Sequence, residues 1–287
     1  MKKAFISLMA ILLFSVTSHS FRDEDFSSDD VESLIEASKD KSTSEMCDGR
    51  SERQLSFSDS LQTRDSDELV LLNWNAHKLE DPKFITDLAQ LSSQADIITI
   101  QESMHSSRFE ELFLANFDFN FSFNMSFCNK DKQATGVMNM ARFNIEANKT
   151  LVSPDTEPIL NTPKVSGYSA VQVPNIGLVH VINIHALNFN LGSKFERHVN
   201  SVGAFIKTLQ GPVIWTGDFN TWSGGRQKHL DQLAQSLGLT HVKLANDKRN
   251  LKLDHVYVRG LEVVSAELLN AFKSSDHLPV KVVFKKK

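Results

Sequence analysis

The stretch VIWTGDFNTW (residues 213–222) sets an apolar run directly against Asp218 and Asn220. The apolar run predicts a buried strand. A carboxylate and an amide are costly to bury without partners. The strand is therefore expected to end where polar side chains have bonding partners or a ligand.

The same arrangement recurs where other predicted strands end or begin, in LNWN, DIITIQE, HVINIH, LKLDHVYV and SSDHLPV. Strand ends and the loops beside them can converge on one rim of a sheet, where binding sites form on a rigid base. One such residue is usually a turn former or a helix cap. Together, carboxylates, amides and imidazoles suit Mg²⁺ ligation and proton transfer, and so indicate metal-assisted hydrolysis. The residues at these ends are Asn75, Glu102, His185, Asp218, Asn220, Asp254, His255, Asp276 and His277.

Short apolar strands alternate with amphipathic helices from about residue 66 to residue 287. The segment DPKFITDLAQLS places four apolar residues on one helical face, namely Phe84, Ile85, Leu88 and Leu91. Further helices are predicted at residues 106–116, 193–209 and 225–237. This alternation predicts a single α/β domain with stacked sheets and outer helices.

Residues 117–127, FDFNFSFNMSF, carry an apolar side chain at every odd position. Period-two alternation predicts a strand with one buried face. An aromatic ribbon that inserts into a membrane is the alternative, but phenylalanines with this period are more typical of a sheet core.

The first twenty residues carry Lys2 and Lys3, a short apolar run and then small polar residues. This pattern predicts a cleavable signal peptide at residues 1–20 and an exported protein, periplasmic or secreted. A membrane anchor is the alternative, but the apolar run is shorter than the ~18 residues that a span needs. Residues 21–67 are rich in Ser, Asp and Glu and are expected to form a flexible leader, which leaves residues 68–287 as the catalytic domain.

The chain carries a formal charge of −4, and loss of residues 1–20 would remove two lysines and no acidic residue, giving −6. Proteins that bind nucleic acid through many phosphate contacts usually carry a net positive charge on the binding surface. A phosphate-ester substrate would therefore need a bound cation to supply positive charge.

The two cysteines, Cys47 and Cys128, would both remain in the exported chain. An oxidising compartment favours a disulfide between them. Two unrelated thiols are the alternative.

In chain order, LNWNAHK, DIITIQE, VINIHA, TGDFNTW, LDHVYV and SSDHLPV resemble the successive signatures of the endonuclease/exonuclease/phosphatase superfamily, which includes deoxyribonuclease I and bacterial sphingomyelinases. TGVMNMARF, EPILNTPK and HALNFNLG further resemble an exported bacterial branch of that superfamily. The resemblance spans about residues 69–284. It implies a four-layer α/β/β/α sandwich of two mixed sheets with the site at one sheet rim.

The resemblance also implies a role for each matching residue. Mg²⁺ is expected as the cofactor, with Mn²⁺ or Ca²⁺ as alternatives, and its ligands would be Glu102, Asn75 and Asp276. The catalytic residues would be His185, Asp218, Asn220, Asp254 and His277, with Asp254 steadying His277 and Asp218 orienting the attacking water. Substrate contacts would come from Asn75, Lys164 and Asn220. His255 is expected to be structural, and a carboxylate partner for His185 is not identifiable in the sequence.

Three functions remain open from the sequence. The first is an exported Mg²⁺-dependent nuclease that acts on DNA or RNA by direct water attack. The second is a phosphodiesterase or phosphatase acting on a lipid or a small molecule, and the third is a non-catalytic binding module or toxin component. Neither stable membrane insertion nor an obligate protein partner is expected.

Overall fold

The computed structural model describes residues 54–57, 67–105, 118–129, 131, 133–158, 161–188 and 192–287. The expected signal peptide, most of the leader, Cys47 and the helix expected at residues 106–116 lie outside these ranges. The signal peptide, the disulfide and that helix therefore stay predictions. Within the described ranges, no helix has both the length and the apolar character that crossing a bilayer requires.

The first sheet contains seven strands. In spatial order they are β1 (Gln54–Phe57), β4 (Asn120–Cys128), β5 (Ala134–Ala141), β3 (Ile97–His105), β2 (Glu68–Asn75), β13 (Val280–Lys286) and β12 (Leu261–Leu268). The sheet is mixed, because β2 and β3 run parallel while the other neighbours are antiparallel.

The second sheet contains six strands. In spatial order they are β10 (Thr240–His241), β11 (Asp254–Arg259), β9 (Val213–Asp218), β8 (Gly177–His185), β7 (Pro163–Val173) and β6 (Ile145–Thr156). Only β8 and β9 run parallel within it. Strands β7 and β8 form a hairpin in which Val173 pairs with Gly177.

Helices cover both outer faces, so the layers follow the order α/β/β/α. Helix α1 (Lys83–Ser92) packs Phe84, Ile85, Leu88 and Leu91 against Trp74 and Phe123 of the first sheet, as its periodicity predicts. Helices α2 (Gly192–Lys207) and α3 (Gly224–Ser236) pack Phe195 and Leu230 against Trp215 and Tyr257 of the second sheet. Between the sheets, Leu71 and Ile97 meet Val181 and Ile214. The four-layer sandwich of two mixed sheets is confirmed.

The space between the sheets turns from apolar to polar in one region. The Gln101 side-chain NH₂ donates to Asn183 Oδ1 at 2.6 Å and to Asn73 Oδ1 at 2.8 Å. Asn183 in turn donates to the Ile100 and Met138 carbonyls at 3.1 Å. These bonds join the two sheets, because a buried amide must be satisfied by partners inside the protein.

The same polar packing corrects the expectation that residues 117–127 bury a single face. Asn120, Ser122 and Asn124 of β4 are as buried as the phenylalanines that alternate with them. The phenylalanines face α1, whereas the polar side chains point toward the second sheet, where Thr150 donates to Asn124 Oδ1 at 2.8 Å. In a sandwich whose outer faces carry helices, one face of a strand packs against a helix and the other against the second sheet.

Three strands were not expected, namely β1, β6 and the two-residue β10. Strand β1 lies inside the stretch expected to be a flexible leader and pairs with β4, with Leu55 opposite Phe123. Strand β6 forms the outer edge of the second sheet, where most of its side chains are partly or fully exposed and its pairing with β7 is twice interrupted. An exposed, irregular edge strand has no regular apolar alternation to reveal it.

Candidate active site

Strand pairing places the predicted residues at one rim. In the second sheet, His185 at the end of β8 lies opposite Asp218 at the end of β9, and Asp218 lies opposite Asp254 at the start of β11. The first sheet supplies Asn75, whose amide reaches across and donates to Asp218 Oδ2 at 3.0 Å. The convergence inferred from the strand ends is therefore present in the structure.

His277 and Asp254 form a tight pair beside Asp218. His277 Nδ1 lies 2.9 Å from Asp254 Oδ1, and His277 Nε2 lies 3.9 Å from Asp218 Oδ2. Burial disfavours the charged ring, but Asp254 outweighs burial and raises the pKa of His277 to about 10. The ring is therefore an imidazolium at neutral pH, with Nδ1 bonded to Asp254 and Nε2 directed toward Asp218.

Asp218 lies at the centre of the cluster. Besides the Asn75 bond, its Oδ1 accepts from the Asn220 backbone N–H at 2.9 Å, and its Oδ2 lies 3.7 Å from His185 Nε2. Burial, and then the nearby Asp254 charge, raise the pKa of Asp218 to about 7. A carboxyl group with a pKa near neutrality suits proton transfer.

An irregularity in strand β3 directs the Glu102 side chain toward the site. The pairing of β3 with β5 shifts between Ile100 and Ser103, and Glu102 has a φ of 50°, a conformation that costs a non-glycine residue about 1–3 kcal/mol. Bulges of this kind redirect side chains beside functional sites.

The Glu102 carboxylate has the properties of a cation ligand. Its Oε2 is buried without a hydrogen-bond partner, and its closest cationic neighbour at that atom is Lys78 Nζ at 3.6 Å. Burial opposes ionisation, yet His185, Lys164 and Lys78 hold the pKa of Glu102 below its usual value. A half-buried, ionised carboxylate with an unsatisfied oxygen fits a hard divalent cation.

His185 lies closer to a lysine than to either of the two neighbouring carboxylates. Lys164 Nζ lies 3.2 Å from Nε2 and 3.5 Å from Nδ1 of His185, and Glu102 Oε1 lies 3.7 Å from Nε2. Burial and then the Lys164 charge lower the pKa of His185 well below its usual value. His185 is therefore neutral. Burial also lowers the pKa of Lys164, while the Glu102 charge opposes that shift.

Asn220 is held in a single orientation. It has a φ of 51°, and its side-chain NH₂ donates to the Ala186 carbonyl at 2.9 Å. An amide NH₂ carries two N–H groups. The second N–H could therefore donate to a ligand oxygen.

The remaining predicted residues lie at the periphery. Asp276 is 58% exposed and faces His77 Nδ1 at 3.7 Å. His255 uses both ring nitrogens in contacts with Thr221 Oγ1 at 2.6 Å and His241 Nε2 at 3.0 Å, which agrees with a structural role. Asp276 is thus the member of the predicted ligand set that lies farthest into solvent.

A second group of residues also has a spacing that a metal could use. Ligand atoms of Asp218, Asp254 and His277 lie within 4.8 Å of one another. Both Asp254 oxygens already accept hydrogen bonds, however, from His277 and from Arg249 at 2.8 Å. A carboxylate that already has two cationic partners is a poor additional ligand, so Glu102, with its unpartnered Oε2, fits a cation better. Asn75 Oδ1 already accepts from the His77 backbone N–H at 3.0 Å and could add a cation only through its second lone pair.

Arg249 and Lys78 are functional candidates that the sequence did not reveal. Arg249 bonds both Asp247 and Asp254, and it lies in the irregular segment before β11. Lys78 faces Glu102 from a turn in which His77, Lys78 and Leu79 all have positive φ. Neither residue belongs to a periodic pattern, so only coordinates could link them to the site.

Comparisons with known proteins agree with this geometry. Residues 72–277 match the model of the Endonuclease/Exonuclease/phosphatase family. A UPF0294 protein of Vibrio vulnificus is 32% identical over 224 residues, covering 75% of this chain and 76% of the relative. A UPF0294 protein of Vibrio parahaemolyticus is 29% identical over 238 residues, covering 81% of this chain and 83% of the relative.

Solved structures share the fold at low sequence identity. An endonuclease/exonuclease/phosphatase from Beutenbergia cavernae superposes with a TM-score of 0.60 at 16% identity, covering 76% of this chain and 72% of that one. D. rerio TDP2 complexed with a single-strand DNA product superposes with a TM-score of 0.57 at 14% identity, covering 77% of this chain and 100% of that one. Sphingomyelinase C from Streptomyces griseocarneus superposes with a TM-score of 0.52 at 15% identity, covering 77% of this chain and 99% of that one.

Proposed function

The chain belongs to the endonuclease/exonuclease/phosphatase family, whose members hydrolyse phosphoester bonds, and on that premise we propose that it is a Mg²⁺-dependent phosphodiesterase acting on nucleic acid. The observation that carries the proposal is the position of Asp218. It contacts Asn75 and Asn220 and lies between the imidazolium of His277 and the neutral ring of His185. This set of side chains can bind a phosphate ester and move the protons that its hydrolysis requires.

Each side chain has a task in direct attack by water. Asp218, with its pKa near neutrality, accepts a proton from the water whose oxygen bonds to phosphorus. The phosphorus bond to the leaving oxygen breaks, and His277 Nε2 donates its proton to that oxygen while Asp254 holds Nδ1. Lys164 and the free N–H of Asn220 hold the non-bridging oxygens, where negative charge increases.

Glu102 and Asn75 would hold the divalent cation, with Asp276 as an outer ligand. Mg²⁺ bound there would offset the charge that accumulates on the phosphate in the transition state. The net negative charge of the whole chain supports this requirement.

The preference for nucleic acid over lipid rests on the surface. The exposed large hydrophobic residues in the described ranges include one aromatic, Trp222, and the rest are aliphatic residues on several different elements. A lipid-inserting surface needs a contiguous apolar patch. The TDP2 neighbour was solved with a single-strand DNA product, which is consistent with this preference.

Export is part of the same proposal. It is supported by the lysine pair and the short apolar run within residues 1–20. An exported location would also favour a bridge between Cys47 and Cys128. Mass spectrometry of the secreted chain tests both, and an intact N-terminus with two free thiols would contradict them.

A substrate panel tests the function. The protein is incubated with Mg²⁺, with and without EDTA, against plasmid DNA, RNA, sphingomyelin, phosphatidylinositol phosphates and bis(p-nitrophenyl) phosphate. Chelator-sensitive cleavage of nucleic acid is expected. Release of choline phosphate alone would favour the lipid phosphodiesterase, and no hydrolysis of any substrate would favour a binding module.

Two variants connect the activity to this site. His277→Ala and Asp218→Ala should each lower turnover by a factor on the order of 10² or more, the scale of acid–base catalysis. His229→Ala is the matched control, because His229 lies on the surface of α3, away from the rim. A near-normal rate in either folded site variant would remove that residue from the mechanism.

A further inference from the structure

Trp222 is a solvent-exposed aromatic residue next to the candidate active site. It follows Asn220 by two residues and is 47% exposed. The other two tryptophans of the chain, Trp74 and Trp215, are completely buried in the layers between sheets and helices. A single exposed hydrophobic residue is ordinary on a protein surface, so exposure alone does not mark Trp222 as a binding site.

Arg226 holds the indole in place. Its guanidinium lies 4.5 Å from the ring centroids of both Trp222 and Phe195, and Arg226 itself is buried. The guanidinium also donates to the Asn220 carbonyl at 2.9 Å and to the Asn188 carbonyl at 2.7 Å. One buried arginine therefore ties Trp222 to the loop of Asn220 and to the segment that follows β8.

The indole N–H strengthens this arrangement. Trp222 Nε1 donates to the Asn188 carbonyl at 3.4 Å, three residues beyond His185. The indole thus contacts both segments that carry site residues in the second sheet. A ring held on one side by a cation and exposed on the other is a preformed surface for stacking, because little side-chain entropy remains to be lost.

We propose that Trp222 is a stacking platform for the nucleobase beside the scissile phosphate. The inference rests on the proposed function and specifies its substrate: a phosphodiester with a base on the side of the site where Asn220 lies. Stacking on an aromatic ring tolerates any base, because every base has a π-face. It would also supply affinity that the acidic chain does not obtain from phosphate contacts.

Intrinsic fluorescence gives a binding test that does not depend on catalysis. Since Trp74 and Trp215 are shielded, a ligand that covers Trp222 changes the emission of one tryptophan. The full chain in EDTA is titrated with a short single-stranded oligonucleotide and with the same backbone carrying abasic residues. Quenching by the first and not by the second is expected, whereas equal effects would overturn the proposal.

Vesicles of phosphatidylglycerol and phosphatidylcholine form a third arm of that titration. Transfer of an indole into a bilayer shifts its emission to the blue, while stacking on a base quenches it. A blue shift with vesicles and no base-dependent quenching would assign Trp222 to a lipid surface and overturn the proposal.

Kinetics then separate stacking from a merely structural role. The substrates are a nucleoside p-nitrophenyl phosphodiester and the analogue that lacks the base, which share one scissile bond. For the wild type, loss of the base should raise KM about tenfold, within the range measured for removal of one base stack. Trp222→Ala should show the raised KM with both substrates, and Trp222→Phe should retain most of the discrimination.

The outcomes distinguish this inference from the function on which it rests. If Trp222→Ala lowers kcat for both diesters and leaves the preference for the base intact, Trp222 is structural and the proposal is wrong. If the wild type cleaves neither diester but its fluorescence still responds to the base, the proposed hydrolysis fails while Trp222 remains a nucleobase site.

Discussion

At the scale of single residues, Arg249 is the side chain whose role is least evident from the sequence. Its guanidinium bonds Asp254 Oδ2 at 2.8 Å and Asp247 Oδ1 at 3.0 Å, and only 14% of the side chain is exposed. Asp254 accepts from His277 with its other oxygen. Arg249 therefore fixes the carboxylate that orients the proposed general acid.

Removal of this partner should affect turnover more than binding. Arg249→Met keeps the length of the side chain but leaves Asp254 free to rotate, so kcat should fall about 10- to 100-fold, the range for losing an outer partner of a functional side chain. Arg249→Lys should recover part of the rate. Steady-state kinetics on bis(p-nitrophenyl) phosphate provide the measurement.

A matched control is available in the same chain. Arg197 makes a similar two-bond contact with Asp155, at 2.8 Å through both nitrogens, but Arg197 is 53% exposed on α2. Arg197→Met should leave kcat unchanged. An Arg249→Met enzyme that turns over like the control would show that the ion pair has no part in catalysis.

His198 makes the fold sensitive to acid. It is fully buried in α2, and its Nδ1 accepts from the Leu187 backbone N–H at 3.3 Å, so the ring must stay neutral. Burial, and then the Lys164 charge, lower the pKa of His198 to about 3, whereas in the unfolded chain it is about 6.5. Between these values the unfolded chain binds one more proton, so the free energy of unfolding falls as the pH falls.

The pH dependence of the unfolding free energy tests this role of His198. Below pH 6.5 this one histidine should cost up to about 1.4 kcal/mol of stability per pH unit. His198→Gln should reduce the pH slope of the unfolding free energy by that amount, measured by urea denaturation across the acid range. His229→Gln, on the surface of α3, should keep the wild-type slope, and identical slopes in all three proteins would refute the assignment.

The residue types at the site could be predicted from the sequence, but their partners could not. Carboxylates and imidazoles at strand ends indicate chemistry because so few other roles bring them together there. That Lys164 approaches His185 more closely than Glu102 or Asp218 does depends on how β7 and β8 pair, which no local pattern encodes.

At the scale of elements, the junction of β8 and β9 is the part of the fold that aligns the site. Gly217 has a φ of 138° and lies opposite Ile184, one residue before the pair formed by His185 and Asp218. A Cβ atom at Gly217 would overlap the Ile184 carbonyl oxygen. Only glycine allows the two strands to approach this closely.

Gly217→Ala should therefore destabilise the protein and separate His185 from Asp218. We expect a loss of at least about 2 kcal/mol in unfolding free energy, from backbone strain and overpacking together, and a parallel loss of activity. Gly224→Ala is the control, because its Cβ would enter open space at the start of α3. Similar melting temperatures for the two variants would contradict this account of the junction.

Elements with strong periodicity were predicted well, and irregular ones were not. Helix α1 and the strands that end at the rim follow their apolar patterns closely. The bulge at Glu102 and the edge strand β6 have no such signal, because their geometry is imposed by neighbouring strands. Glu102 was identified as a ligand only through the family resemblance.

At the scale of the whole molecule, the sandwich explains how a chain with a net negative charge can act on phosphate esters. The two sheets bring donors from distant parts of the sequence to one rim, and polar bonds such as Gln101 to Asn183 lock the sheets together. The alternation of strands and helices predicted the layers. It did not predict this polar contact between sheets, because no local pattern around Gln101 or Asn183 indicates which residue each will bond.

A divalent cation bound at Glu102 would make this rim a hydrolytic site. The most direct measurement is the rate of hydrolysis of a nucleoside p-nitrophenyl phosphodiester as a function of Mg²⁺ concentration, in wild type, Glu102→Gln and the surface control Glu262→Gln. We predict no rate in EDTA, recovery with Mg²⁺ in wild type and control, and at least about a tenfold higher Mg²⁺ requirement for Glu102→Gln. Hydrolysis that persists in EDTA, or the same Mg²⁺ dependence in all three proteins, would contradict the account.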